Sequence, residues 1–163
     1  MRPMRRFNLS DPNFSYDPTD PEGFRAGLFR MGPDAGAKET GTSLYELPPG
    51  QALCPYHYEY GEEEWLLVVE GRPHLRTPDG TEQLYHLDVV FFPKGPEGAH
   101  KISNETDAPV RVLMWSSVVY PTATAYPDSD KVGLWTADKA EDLMVERSSG
   151  VEYYRGEVDG TVS

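Results

Sequence analysis

The stretch Gly50-Gln-Ala-Leu-Cys-Pro-Tyr-His57-Tyr-Glu59-Tyr-Gly-Glu-Glu-Glu64-Trp-Leu-Leu-Val-Val-Glu70-Gly71 decides how the rest of this chain is read. Its second half holds an unbroken apolar run, Trp65 to Val69, which suits a well-buried strand. Its first half alternates. In a strand, Leu53, Pro55, His57 and Glu59 share one face, and Cys54, Tyr56, Tyr58 and Tyr60 share the other. On the following strand Glu64 shares its face with Leu66 and Val68, so if those two point inward, Glu64 does too.

Working outward, the same texture continues on both sides. Thr42–Leu47 reads as a strand closed by Pro48-Pro49-Gly50. His74–Thr77 and Glu82–His86 flank Pro78-Asp79-Gly80, a hairpin signal. Val89–Phe92 stops at Pro93, Ala99–Ser103 is short, and Val110–Tyr120 is a long β-branched and aromatic run. About eight strands separated by frequent turn signals indicate a sandwich or barrel, so the fold class is all-β. Residues 41–120 form this core. Residues 1–40 read as an extended arm: Asp-Pro and Gly-Pro pairs forbid long elements, yet Phe7, Phe14, Tyr16, Phe24 and Phe29 argue against disorder, and one strand is expected near Phe24–Arg30. Residues 121–163 read as an appendage with a strand at Val132–Thr136, a helical turn in Lys139–Val145 and a frayed end.

Composition excludes several classes. Lys plus Arg is 15 against 27 Asp plus Glu, a net charge of −12, which repels nucleic acid and anionic membranes. The one cysteine, Cys54, forms no internal disulfide. No run approaches the roughly 20 apolar residues of a membrane span. Arg2, Arg5 and Arg6 precede no apolar signal core, so a cytoplasmic location is expected. No Walker loop, Rossmann fingerprint, nucleophile elbow or helix-turn-helix pattern occurs.

The chemistry lies in the opening stretch and in a second one, Asp88-Val-Val-Phe-Phe-Pro93-Lys-Gly95-Pro-Glu-Gly-Ala-His100-Lys-Ile-Ser-Asn104. If His57, Glu59, Glu64 and His100 meet inside a barrel, two imidazoles and two carboxylates are buried together. Each ionised carboxylate taken from water costs several kcal/mol uncompensated. A divalent cation offsets both charges, and first-row metals accept imidazole nitrogen and carboxylate oxygen. Taken singly, His57 or Glu64 reads better as part of a solvated loop than as a ligand.

The two stretches together resemble the paired motifs of the cupin superfamily. His57, Glu64 and Gly71 match the first motif; Pro93, Gly95, His100 and Asn104 match the second. The resemblance implies a double-stranded β-helix, or jelly roll, with a divalent metal (iron, manganese, zinc or nickel) and a small-molecule ligand in its mouth. It also implies a homodimer. Three departures stand out: Glu59 occupies the place of a second histidine, the loop from Gly95 to His100 is two residues longer than usual, and Asp88 stands where a glycine is expected. Glu59 is thus a fourth ligand, a general base or neither.

Cys54 is expected opposite His57, which disfavours a nucleophilic dyad. His74 and His86 read as a surface pair. Lys94, Lys101 and Arg111 lie near the second motif and could attract an anion. Tyr56, Tyr58 and Tyr60 form an outward row that needs a cover, either the arm or a second subunit. The functional expectation is a protein that acts on, or binds, a sugar, sugar phosphate or carboxylic acid. A metal-dependent dioxygenase, isomerase or decarboxylase, a non-catalytic binding protein and a structural metal site all remain open at this point.

Overall fold

The computed structural model describes residues 4–157. It is an all-β jelly roll. Twelve strands are present among the described residues: β1 Gly27–Arg30, β2 Thr40–Leu47, β3 Tyr58–Glu59, β4 Glu64–Glu70, β5 His74–Thr77, β6 Gly80–Gln83, β7 Val89–Phe92, β8 Lys101–Ser103, β9 Val110–Ser117, β10 Thr122–Tyr126, β11 Lys131–Trp135 and β12 Leu143–Glu146. The short helix α1, Met31–Ala35, follows β1 and ends at Gly36, whose φ of 76° is open to glycine. No helix among the described residues is long and apolar enough to cross a membrane.

One wall is a five-stranded sheet in the order β1-β2-β9-β4-β7. The other is built from β12-β11-β10-β3 and β6-β5-β8, joined through the segment between β2 and β3. That segment bridges to the second-motif strand at Ala52–Ser103 and His57–His100. Alternation sets the core as expected: Leu47, Leu66, Val68, Val110, Val112 and Ile102 are fully buried, while Trp65 on β4 is 37% exposed. Each such Leu or Val contributes about 1.5–3 kcal/mol by leaving water.

Gln51–Tyr60 is not the continuous strand that its alternation predicts. Pro55 has no N–H to give a ladder, so the segment touches its neighbour only at two bridges before β3 begins. The tyrosine row is corrected as well. Tyr56 and Tyr58 are buried, packed with Ala99 and Ala125. The Arg76 guanidinium lies 3.9 Å from the centre of the Tyr56 ring. Their cover is β10 and Arg76 of the same chain, and only Tyr60 is exposed. Exposed aromatic surface lies instead on the outer face of the five-stranded sheet, where Trp65 stacks on Trp115 and touches Phe91.

The chain after residue 120 is more regular than expected. β10 pairs with β3, β11 with β10 and β12 with β11. Only Lys139–Glu141 of the expected helical turn is helical, as a single 3₁₀ turn; Leu143–Glu146 is strand. The expected fraying of the last residues falls on 158–163, outside the described residues. The arm lies on its own barrel: Ser15 bridges to Leu28, and Gln51 Oε1 accepts the N–H groups of Gly23 and Arg25. The Tyr16 hydroxyl donates to Glu46, with the oxygens 2.6 Å apart.

Candidate metal centre

His57 and His100 enter the barrel from two segments that pair as a bridge. The His57 N–H donates to the His100 carbonyl at 3.1 Å, and the His100 N–H returns the bond at 2.8 Å. This exchange sets the two rings side by side, with centres 4.6 Å apart. Phe92 stacks against His100 at 3.7 Å. Glu64 begins β4, whose register with β7 and β9 aims it at the same space.

The ring orientations follow from backbone carbonyls. His57 Nδ1 lies 3.0 Å from the Pro55 carbonyl, and His100 Nδ1 lies 2.8 Å from the Gly98 carbonyl. A carbonyl only accepts, so each Nδ1 carries the proton and each Nε2 presents a lone pair. The extra residues before His100 form the 3₁₀ turn Pro96–Gly98. The lengthened loop is therefore what supplies the carbonyl that orients His100.

Both lone pairs face one carboxylate. Glu64 Oε2 is 3.8 Å from His57 Nε2 and 3.6 Å from His100 Nε2. These are not salt bridges: burial drives the His100 pKa down to about 3, with His57 adding to the shift, and burial lowers that of His57 too. His100 Nε2 is buried with no hydrogen-bond partner. Burial pushes Glu64 up to about 8 and Glu59 up to about 7. Two imidazole lone pairs and the Glu64 carboxyl converge at 3.6–3.8 Å, too far apart to hydrogen-bond one another, a mismatch that a cation seated between them relieves. One donor atom from each of His57, Glu64 and His100 lies within 4.8 Å of the others, an arrangement that could hold a metal ion.

Glu59 stands beside this set. Its Oε1 is 3.7 Å from His57 Nε2. Its two oxygens are 2.8 and 2.7 Å from Thr124 Oγ1, which donates to them. Trp135 Nε1 in turn donates to Thr124 Oγ1 at 2.6 Å. Thr124 and Trp135 come from β10 and β11, and no motif in the sequence marks them. Their role becomes visible only when β10 pairs with β3 at Thr124–Glu59.

Cys54 departs from expectation. Its Sγ lies 3.5 Å from His57 Nδ1, not across the strand from it, because the chain turns at Pro55. No nucleophilic dyad results: the Nδ1 proton is spent on the Pro55 carbonyl, and burial pushes the thiol far above its usual range. His86 is exposed, and His74 lies opposite Gln83 rather than His86. Arg111 is engaged by Glu46 at 2.8 Å and Glu70 at 3.2 Å, so it is not free to steer an anion.

The remaining motif positions shape the frame. The Gly71 φ is +81°, and a Cβ there would stand 2.8 Å from Val110 Cγ2. Asn104 is buried. Its amide donates to the Leu47 and Ala108 carbonyls, both at 2.8 Å, and its Oδ1 accepts from the Thr106 N–H and hydroxyl. It clamps the β8–β9 turn to β2 and touches no metal ligand.

Residues 43–116 match the family model described as Cupin domain. The protein carries a cupin domain. This span holds both motifs and all three converging residues. No curated protein sequence matches the chain. Among solved structures, a sugar phosphate isomerase of the cupin superfamily from Silicibacter pomeroyi superposes with a TM-score of 0.78 at 22% identity, covering 91% of this chain and 96% of that one. A proposed sugar phosphate isomerase from Acidithiobacillus ferrooxidans gives 0.73 at 23% identity, covering 80% and 81%. A polyketide cyclase from Streptomyces resistomycificus gives 0.60 at 22% identity, covering 73% and 83%. At these identities the likeness is one of fold, and this cupin's chemistry has to come from its own side chains.

Proposed function

We propose that this cupin is a metal-dependent enzyme that moves a proton on a small hydroxy-carbonyl metabolite. The observation that carries the reading is the convergence of the His57 and His100 Nε2 lone pairs on Glu64, with His100 Nε2 buried and otherwise partnerless. His57, Glu64 and His100 would hold the ion, leaving open positions for substrate oxygen. A divalent metal bound there would act as a Lewis acid on a carbonyl or enolate oxygen.

Glu59 is assigned as the general base rather than a fourth ligand. Burial lifts it to about 7, close to the range in which a carboxylate both takes and returns a proton. The Thr124 hydroxyl, itself held by Trp135, fixes the carboxylate in place. A proton leaves the substrate carbon beside the carbonyl, rests on Glu59, and returns to the same carbon, or to the former carbonyl carbon as the neighbouring hydroxyl passes its proton to the former carbonyl oxygen. No oxidant or second substrate is consumed. Two of the fold's neighbours are named for sugar phosphate isomerisation, a reaction of this type, and they support the reading without supplying the substrate.

The test uses protein reconstituted with Zn²⁺, Mn²⁺ or Fe²⁺ in deuterated water with dihydroxyacetone, followed by proton NMR. Loss of the carbon-bound proton signal, slowed at least a hundredfold by Glu59→Gln with metal content retained, is the expected result. Exchange that is unchanged by Glu59→Gln, or absent with all three metals, overturns the assignment.

A further inference from the structure

The outer face of the five-stranded sheet carries two apolar rows. The registers of β7, β4 and β9 set Phe91, Trp65 and Trp115 side by side, and two residues further along they set Val89, Leu67 and Leu113 side by side. Leu66, Val68, Val112 and Met114 on the same strands are buried in the barrel, so by alternation the six point outward. Val89 is 54% exposed and Phe91 42%. Trp65 lies flat against Trp115, with 4° between the ring planes, and meets Phe91 at 4.8 Å. None of the six carries a charge.

The other half of this face is covered. Leu44, which adjoins Leu113 on β2, is fully buried. Phe29, its neighbour on β1, has the Phe7 ring of the arm against it at 6.0 Å. The helix α1 lies against Thr42, where a Cβ on Gly32 would stand 3.0 Å from the Thr42 nitrogen. Arm and helix thus make a shoulder on β1 and β2. Beyond it the rows run uncovered, among the described residues, to β7, which is the far edge of the sheet.

We propose that a second copy of the chain docks on these rows, sheet against sheet, about a two-fold axis that runs along β4. With about 150–250 Å² for a large aromatic side chain, the exposed parts of the rows come to roughly 350 Å². That suits the apolar centre of an interface to which each partner gives roughly 800 Å², the remainder being a polar rim. An axis across the strands would stack shoulder on shoulder. An axis along β4 sets Trp65 against the partner's Trp65 and Phe91 against the partner's Trp115. It also carries each shoulder beyond the partner's β7, covering an open sheet edge. Each chain carries a net charge of −12, none of it in the rows. Two copies therefore repel through the rest of their surfaces and attract through the rows, and docking strengthens when salt screens the repulsion. On their inner face the same strands present Glu64 and Phe92, so the contact backs the metal centre without touching a ligand.

Sedimentation velocity on the full-length protein tests this. Unmodified protein is expected at twice the mass of one chain. Raising salt from about 0.1 M to about 1 M, which shortens the screening length from roughly 10 Å to roughly 3 Å, is expected to tighten association at least threefold. Trp65→Glu is expected to give a monomer with unchanged circular dichroism and metal content. Leu143→Glu, at an exposed leucine on β12, is expected to leave the dimer intact. Unmodified protein that stays monomeric, a dimer that salt dissociates, or a dimer that survives Trp65→Glu overturns the proposal. Should Trp65→Glu fail to fold, a neutral paramagnetic relaxation agent decides on unmodified protein. Docking predicts that the Trp65 indole signal escapes broadening, and a broadened signal overturns the proposal.

Discussion

Raising the pH from 6.5 to 8.5 is expected to destabilise the metal-free protein, and the size of the loss follows from the site. Glu64 sits at about 8 and Glu59 at about 7, against 4.5 for an ordinary glutamate. Both are raised, so the folded chain keeps protons that the unfolded chain has already released. Stability from these groups is complete below about 4.5 and is lost as pH climbs through 7 and 8. Between pH 6.5 and 8.5 the loss is roughly 2–3 kcal/mol, most of it from Glu64, at about 1.4 kcal/mol per proton and pH unit. For a chain of this size that is about 5–10 °C in Tm. His57 and His100 offset only part of this. Their pKa values are lowered, so their contribution rises with pH; the unfolded imidazoles are still half protonated near 6.5, the two together return about 0.8 kcal/mol above that pH, and a net loss of roughly 2 kcal/mol remains. Thermal unfolding in chelator at pH 6.5, 7.5 and 8.5 measures the effect. Glu64→Gln should remove most of the slope, and saturating Zn²⁺ should reverse it, since the metal displaces the protons. A Tm that is flat or rising across this range in chelator refutes the reasoning.

Other outcomes follow from single contacts. Asn104→Ala should cost about 1–3 kcal/mol in urea unfolding, because the buried Leu47 carbonyl and the part-buried Ala108 carbonyl lose their donor, while metal stoichiometry stays unchanged. Leu66→Ala, at a fully buried site, should cost about 2–5 kcal/mol by the same measurement. Thr124→Val should raise the Glu59 pKa further, read by carbon NMR of the carboxyl, with metal affinity within about threefold of the parent protein. Deleting residues 1–25 should lower Tm by at least about 5 °C, because the Ser15–Leu28 bridge and the Gln51 and Glu46 contacts go with them. An unchanged Tm would remove the arm from the account of stability.

Period-two alternation and turn residues made the barrel legible in the sequence. Leu66, Val68 and Val112 face inward because their strands keep strict alternation, and His57, Glu64 and His100 could be picked out because each lies in a motif of fixed spacing. Alternation failed where a proline interrupts it. Pro55 ends the ladder, and so Cys54 arrives beside His57 and the Tyr56–Tyr60 row turns toward β10. The Thr124–Trp135 support of Glu59 was not legible at all. It depends on β10 returning across some 60 residues to pair with β3, and neither residue carries a local signal. The role of Gly98 was hidden for a similar reason: a loop two residues too long reads as a defect until its carbonyl is seen to hold His100.

Metal binding measured directly is the decisive observation. Chelator-treated protein titrated with Zn²⁺ at pH 8 should take up one ion per chain, and the single variants His57→Ala, Glu64→Ala and His100→Ala should each lower the affinity at least a hundredfold. Folded protein that takes up no ion, or that keeps its affinity when His100 is removed, would contradict the account at its base.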